Sequence, residues 1–246
     1  MFSALVSTIG TFVYVQTLIL LFVAPFYLYY RHKQAPKGGL PKNLSEHIEQ
    51  FFLSKASNWL VFFWAMSEAL FWFVIPEFLL LLVVFMRIRR KRELLIYDVG
   101  GTVAGTIVAF FVHVSASGIA HLPFIQEKMV EQTNAWYAHS GIWGLLYQPF
   151  SGVPYKVFTL TAQNHHFFIL WFIIVAVIVR MSRYAIFFGI FTALYPGLHN
   201  FVYKRYVRLV FIATFIFSIF LVRVVRTYGP DYKVNFYKGT SVLQKK

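Results

Sequence analysis

WLVFFWAMSEALFWFVIPEFLLLLVVFM, residues 59–86, is a 28-residue apolar run whose only ionisable groups are Glu68 and Glu77. A carboxylate at bilayer depth costs about 2.5–3.5 kcal/mol on insertion scales, so it persists where it faces protein or a wet cavity, and it marks function by default. Pro76 directly precedes Glu77 and cannot donate the backbone hydrogen bond that a helix interior needs. As one helix the run would measure roughly 42 Å at about 1.5 Å per residue, against a hydrocarbon layer of about 30 Å. Basic clusters flank it on both sides: Arg31, His32, Lys33, Lys37, Lys42 and Lys55 before it, and Arg87, Arg89, Arg90, Lys91 and Arg92 after it. If both clusters stay on one face of the membrane, the run must enter and leave on that face as a re-entrant hairpin. A single long tilted helix is the alternative.

The rest of the chain extends this reading. Of 246 residues, 59% are hydrophobic and 20% aromatic, while only 13% are charged, which excludes a soluble core and defines an all-α, multi-pass membrane protein. The net charge of +14 sits at the ends of apolar runs, as in the Lys204, Arg205 and Arg208 group, which fits orientation signals and anionic head groups rather than nucleic acid. The absence of cysteine removes disulfides and thiolate chemistry. The first run has no basic residue before Arg31 and no small-x-small cleavage site after it, so it reads as a retained helix. Asn43-Leu44-Ser45-Glu46 can cap a short surface helix that turns Leu44, Ile48, Phe51 and Phe52 to one side. Residues 94–121 form a helix with Gly100, Gly101, Gly105 and Gly118 for close packing, and Asp98, just inside its start, reads first as interfacial and second as a site member.

A second broken segment is GIWGLLYQPFSGVPYKVFTLTAQN, residues 141–164. Pro149, Gly152 and Pro154 interrupt backbone apolar enough to enter the bilayer, and such interruptions are tolerated there only where protein or water satisfies the freed polar groups. Lys156 follows Pro154 by two positions. The two segments repeat one pattern, Ile75-Pro76-Glu77 in the first and Val153-Pro154-Tyr155-Lys156 in the second, so that one brings acids and the other a base. Entering from opposite faces, their tips would meet near the midplane, as in inverted-repeat transporters. Residues 167–193 carry Arg180 and Arg183 on one helix face, Pro196-Gly197 reads as a turn, and 207–222 is a last span.

The expected architecture is therefore about four transmembrane helices plus two facing re-entrant hairpins. It divides into an N-terminal transmembrane helix (1–30), a polar and amphipathic interfacial segment (31–58), a membrane domain (59–228) with hairpins at 59–86 and 141–164, and a polar, basic tail (229–246). The ordered set Glu68, Val74-Ile75-Pro76-Glu77-Phe78-Leu79-Leu80, Gly100-Gly101-Thr102-Val103-Ala104-Gly105, Val153-Pro154-Tyr155-Lys156-Val157-Phe158-Thr159 and Arg180 through Arg183-Tyr184 resembles the DedA superfamily. That superfamily is also known as SNARE-associated Golgi or VTT-domain proteins, and the likeness is to its YqaA-like branch, over residues 59–190. Gln148 stands where the family often has a basic residue, and no second proline or glycine follows Pro76.

The resemblance implies a flippase or scramblase, in an inner or plasma membrane, for a phosphate-bearing lipid: a polyprenyl phosphate or a phospholipid. It also implies proton coupling, with Glu68 and Glu77 as the acids and Lys156, Arg180 and Arg183 as the head-group cations. Chemistry alone agrees with those roles, because arginine binds phosphate bidentately and a desolvated carboxyl can carry a proton. The residues leave open that Glu68 pairs with Lys156 or Arg180 simply to permit burial. They also leave open a proton- or cation-coupled small-solute antiporter and a non-transporting assembly factor. An enzyme is not expected, because Ser115 and Ser117 lack a base and an acid at readable spacing. Neither is a metal site or cofactor: His113, His121, His139, His165, His166 and His199 form no ligand pattern. The partners are anionic or zwitterionic lipids and protons, and a homodimer is compatible with the chain.

Overall fold

The computed structural model describes residues 2–33, 43–73, 91–112 and 114–229. Pro76, Glu77, the second half of the 59–86 run, His113 and the tail beyond Gly229 lie outside the described residues. Among those described, every element is helical: α1 (Phe2–Lys33), α2 (Leu44–Leu53), α3 (Lys55–Glu68), α4 (Lys91–Phe111), α5 (Ala116–Ala120), α6 (Glu127–Ser140), a 3-10 turn (Gly141–Tyr147), α7 (Gln148–Ser151), α8 (Tyr155–Ala162), a second 3-10 turn (Gln163–His165) and α9 (Ile169–Thr227). Three helices contain stretches long and apolar enough to cross a membrane, Ser7–Lys33, Arg92–Phe111 and Ile169–Thr227. Large apolar side chains cover their outer faces, Leu20, Leu21, Phe111, Trp171 and Ile178 among them, as a lipid-facing surface requires. This is a helical membrane protein.

Helix α9 holds two limbs, as the expected pair of spans would, but divides at a different place. Pro196 and Gly197 continue the helix rather than turning it, and the non-helical residue is Arg205, with φ −118° and ψ 17°. Arg183 Nη1 donates to Gln148 Oε1 at 3.2 Å, and Tyr228 Oη donates to the Ser151 carbonyl at 2.8 Å. A straight helix between Arg183 and Tyr228 would be roughly 67 Å long at about 1.5 Å per residue, yet both ends reach the single turn α7. The chain therefore doubles back at Arg205 into two limbs, 169–204 and 206–227. Proline survives in the first limb because neighbouring groups can take over the freed carbonyl of a membrane helix.

Helices α3 and α4 run parallel. Trp59 packs on Tyr97 with ring centroids 5.7 Å apart, Phe62 lies on Gly100 and Gly101, and Met66 lies on Gly105. A Cβ at Gly101 would sit on the Phe62 carbonyl oxygen and one at Gly105 on the Met66 carbonyl oxygen, so both positions must be glycine for the backbones to approach this closely. Parallel neighbours have a topological consequence: the chain leaves α3 at depth and enters α4 at the level where α3 began. Helix α4 ends at Phe111, short of the expected 121. Ser115 then caps the separate helix α5 by accepting from the Gly118 N–H.

Helix α1 lies antiparallel to α3 through Phe26 on Phe63 and Phe22 on Trp64. Helix α2 is N-capped by Asn43, whose Oδ1 accepts from Ser45 N–H as the sequence suggests. It buries Phe51 and Phe52 against α1 and Tyr206 while Leu44 stays exposed, so its apolar side faces protein. Ser45 Oγ donates to the Tyr203 carbonyl and Tyr203 Oη to Glu49, which ties α2 to the reversal of α9.

Candidate functional site

Four charged side chains are buried among the described residues: Glu68, Asp98, Lys156 and Arg180. Three of them meet where the two broken segments meet. Helix α3 ends at Glu68 itself, eight positions before Pro76, because the N–H groups of Leu70, Phe71 and Trp72 all fold onto the Ser67 carbonyl. That winding leaves later carbonyls without intrahelical partners, as at any helix C-terminus. Helix α8 supplies them. Thr159 Oγ1 donates to the Ala69 carbonyl at 2.7 Å, and Lys156 Nζ donates to the Phe71 carbonyl at 2.9 Å and the Pro123 carbonyl at 3.1 Å. A fully buried ammonium without such partners would be prohibitively costly. The end of a helix also presents the negative pole of its dipole to that cation.

The break that delivers Lys156 follows from three residues. Pro149 lies in the first turn of α7, where its missing N–H is not needed. Gly152 ends α7 at φ 73°, a left-handed conformation that favours glycine. Pro154, extended at φ −61° and ψ 147°, then caps α8. The second broken segment is thus a turn of 3-10 helix, α7, a three-residue break and α8.

Arg180 of α9 completes the junction. Its Nη1 donates to Glu68 Oε2 in a charge-assisted ion pair, with both side chains 3% exposed. Its Nη2 donates to Tyr184 Oη at 2.9 Å, and the guanidinium lies over the Tyr155 ring, 4.6 Å from the centroid. Tyr155 Oη in turn shares a hydrogen bond of 2.8 Å with Thr106 Oγ1 on α4. Of the two partners that burial offered Glu68, the chain uses Arg180, and Lys156 serves the carbonyls. Arg183 reaches the same segment one turn further along, at Gln148, so a neutral amide stands where the resemblance leads one to expect a base.

Sequence reasoning missed several participants. Thr106, Tyr155, Thr159 and Tyr184 all carry hydrogen bonds or ring contacts of the junction. Tyr184 lies four residues beyond Arg180 and Thr159 three beyond Lys156, a helical spacing that could have signalled them. At the exit of α8, His165 hydrogen-bonds to Asn134 Oδ1, and partial burial with His166 adjacent holds its pKa below the ordinary value. Searches of family models, of curated proteins and of solved structures find no match to this chain.

Proposed function

We propose that this chain is a membrane transporter that passes the phosphate-bearing head group of a lipid, a polyprenyl phosphate or a phospholipid, between leaflets of an inner or plasma membrane. The observation that carries the proposal is the Glu68–Arg180 ion pair, buried beside Lys156 where two broken helical segments meet. A structural pair would need no such junction. Broken helices at depth are the usual means by which transporters present helix ends and charges to a substrate. The parallel run of α3 and α4 favours a re-entrant first segment, and the ordered motifs resembling the DedA superfamily point the same way.

In this mechanism Arg180 exchanges one oxyanion for another. A phosphate entering the junction takes the guanidinium bidentately, and Glu68, released from its partner in a dry site, takes up a proton. Lys156 adds a point charge, and Arg183 sits one turn away for the departing or arriving head group. When the phosphate leaves, Glu68 releases its proton and re-forms the pair. Glu77 is assigned the second acid by its place in the sequence.

The test is head-group translocation of fluorescent phospholipid and of polyprenyl phosphate in proteoliposomes, with and without a pH gradient. Wild type should move one of them, and Glu68→Gln and Lys156→Gln should both abolish that movement. Gradient dependence makes the process proton-coupled. Proton movement that depends on Glu68 but needs no lipid would instead establish a small-solute antiporter. Well-folded protein that moves neither would leave an assembly role.

A further inference from the structure

Helix α4 carries a buried polar stripe that the transport site touches at one end only. Asp98, Thr102 and Thr106 are spaced by four, so they lie one above another on a single face, with Cβ atoms of neighbours about 6 Å apart. Their exposures are 0%, 2% and 1%. Three polar residues on one face of an otherwise apolar membrane helix are costly and call for a use. At the deep end, Thr106 Oγ1 donates to the Thr102 carbonyl and shares its hydrogen bond with Tyr155, whose ring carries Arg180, which holds Glu68. The middle hydroxyl, Thr102 Oγ1, is buried and makes no hydrogen bond among the described residues. At the outer end, Asp98 is two turns into α4, next to Tyr97, which packs on Trp59. It is therefore level with the first turn of α3, where Ser57 and Asn58 are also buried.

We infer that this stripe is the proton path to the transport site, with Asp98 as a second proton-carrying group between the basic end of the molecule and Glu68. The inference rests on the reading of Glu68 as a proton carrier. Each hydroxyl along the stripe both accepts and donates. Tyr155, Thr106 and Thr102 each take one proton and pass one on, so only Glu68 and Asp98 change charge, one losing the proton the other gains. Thr102 Oγ1 makes no direct bond to either neighbour, so the path requires a bridging water on each side of it. The charged and titratable groups around the deep end of the path are Glu68 from α3, Tyr155 and Lys156 from α8, and Arg180 and Tyr184 from α9.

Purified full-length protein in liposomes on a solid-supported membrane, given a step in pH, reads the path directly as a transient current. Wild type should show a current that Glu68→Gln removes. Asp98→Asn and Thr106→Val should each slow its relaxation about tenfold, the cost of one lost hydrogen bond along the route, and Asp98→Glu should restore the rate. Circular dichroism and gel filtration check that each variant is folded, and the conservative Thr106→Val keeps the test alive if Asp98→Asn is not. Relaxation at the wild-type rate in both variants, or no transient current in folded wild type, would overturn the path. Lipid translocation measured in the same vesicles separates the two ideas: a stripe-dependent current without lipid movement keeps the path and discards the lipid reading.

Discussion

Helix α3 ends on a carboxylate and helix α8 begins on an ammonium, and each charge stands at the wrong end of its own helix. Glu68 is the last residue of α3, at the negative pole of its dipole, and Lys156 is the second residue of α8, at the positive pole. Such placements cost about 0.3–1 kcal/mol each in an exposed helix. The other segment and α9 reverse the sign of both. Lys156 faces the end of α3, and Arg180 faces Glu68. The lesson is that these charges belong to the junction and not to their helices, which is why neither segment alone explains its own sequence.

The comparison breaks most severely at Arg180. Arg180→Ala leaves Glu68 buried without its guanidinium, and losing one partner of a buried pair costs about 3–5 kcal/mol. The expected result is loss of folded protein in a detergent thermal-stability assay. The Glu68→Gln/Arg180→Gln double variant should recover much of it, because no lone charge remains. Equal instability of the double variant would show that the pair does not carry the site.

Lys156→Met comes next. It orphans the Phe71 and Pro123 carbonyls, at about 1–3 kcal/mol for each buried group left unsatisfied, and should lower the thermal midpoint more than Lys156→Arg. The seam between α3 and α4 is the third target. Gly101→Ala or Gly105→Ala pushes a methyl group onto a backbone carbonyl and forces the helices apart, at about 1–3 kcal/mol. Gly189→Ala, which has open space around it, serves as the neutral control.

The smallest effect is at His165, beyond the junction. Because its folded pKa lies below the ordinary 6.5, the folded state takes up its proton later than the unfolded chain does. Its contribution to stability is present above pH 6.5 and is lost as pH falls through the lowered folded value. An NMR titration of the ring should give a midpoint below that of an exposed histidine in the same protein, and one above it would contradict the partial burial of His165 beside His166.

Much of this was legible in the sequence, and for identifiable reasons. Bilayer energetics make an ionisable group in an apolar run conspicuous, so Glu68, Lys156 and Arg180 could be picked out one by one, and Gly101 and Gly105 by their spacing. Pairing was not legible, because Glu68 and Arg180 lie 112 residues apart and nothing local says which cation will reach which acid. Pro76 lies outside the described residues, and α3 ends before it, at Glu68, through a cluster of N–H groups on one carbonyl that no residue type announces. Pro196-Gly197 misled, since a helix in lipid keeps its proline and the reversal falls at Arg205. The burial of Asp98 was not legible, because position near the start of a helix does not say which face packs against α3.

The site depends on the meeting of two broken segments, and the absence of native cysteine makes that meeting directly testable. The measurement is cross-linking of an Ala69→Cys/Thr159→Cys variant in membranes with a short thiol-to-thiol reagent, read as a mass change after cleavage of the chain between the two positions. Thr159 Oγ1 donates to the Ala69 carbonyl, so efficient cross-linking is predicted at these positions and none for Ala69→Cys paired with Ser182→Cys. A folded Ala69→Cys/Thr159→Cys variant whose two introduced thiols fail to cross-link would contradict it.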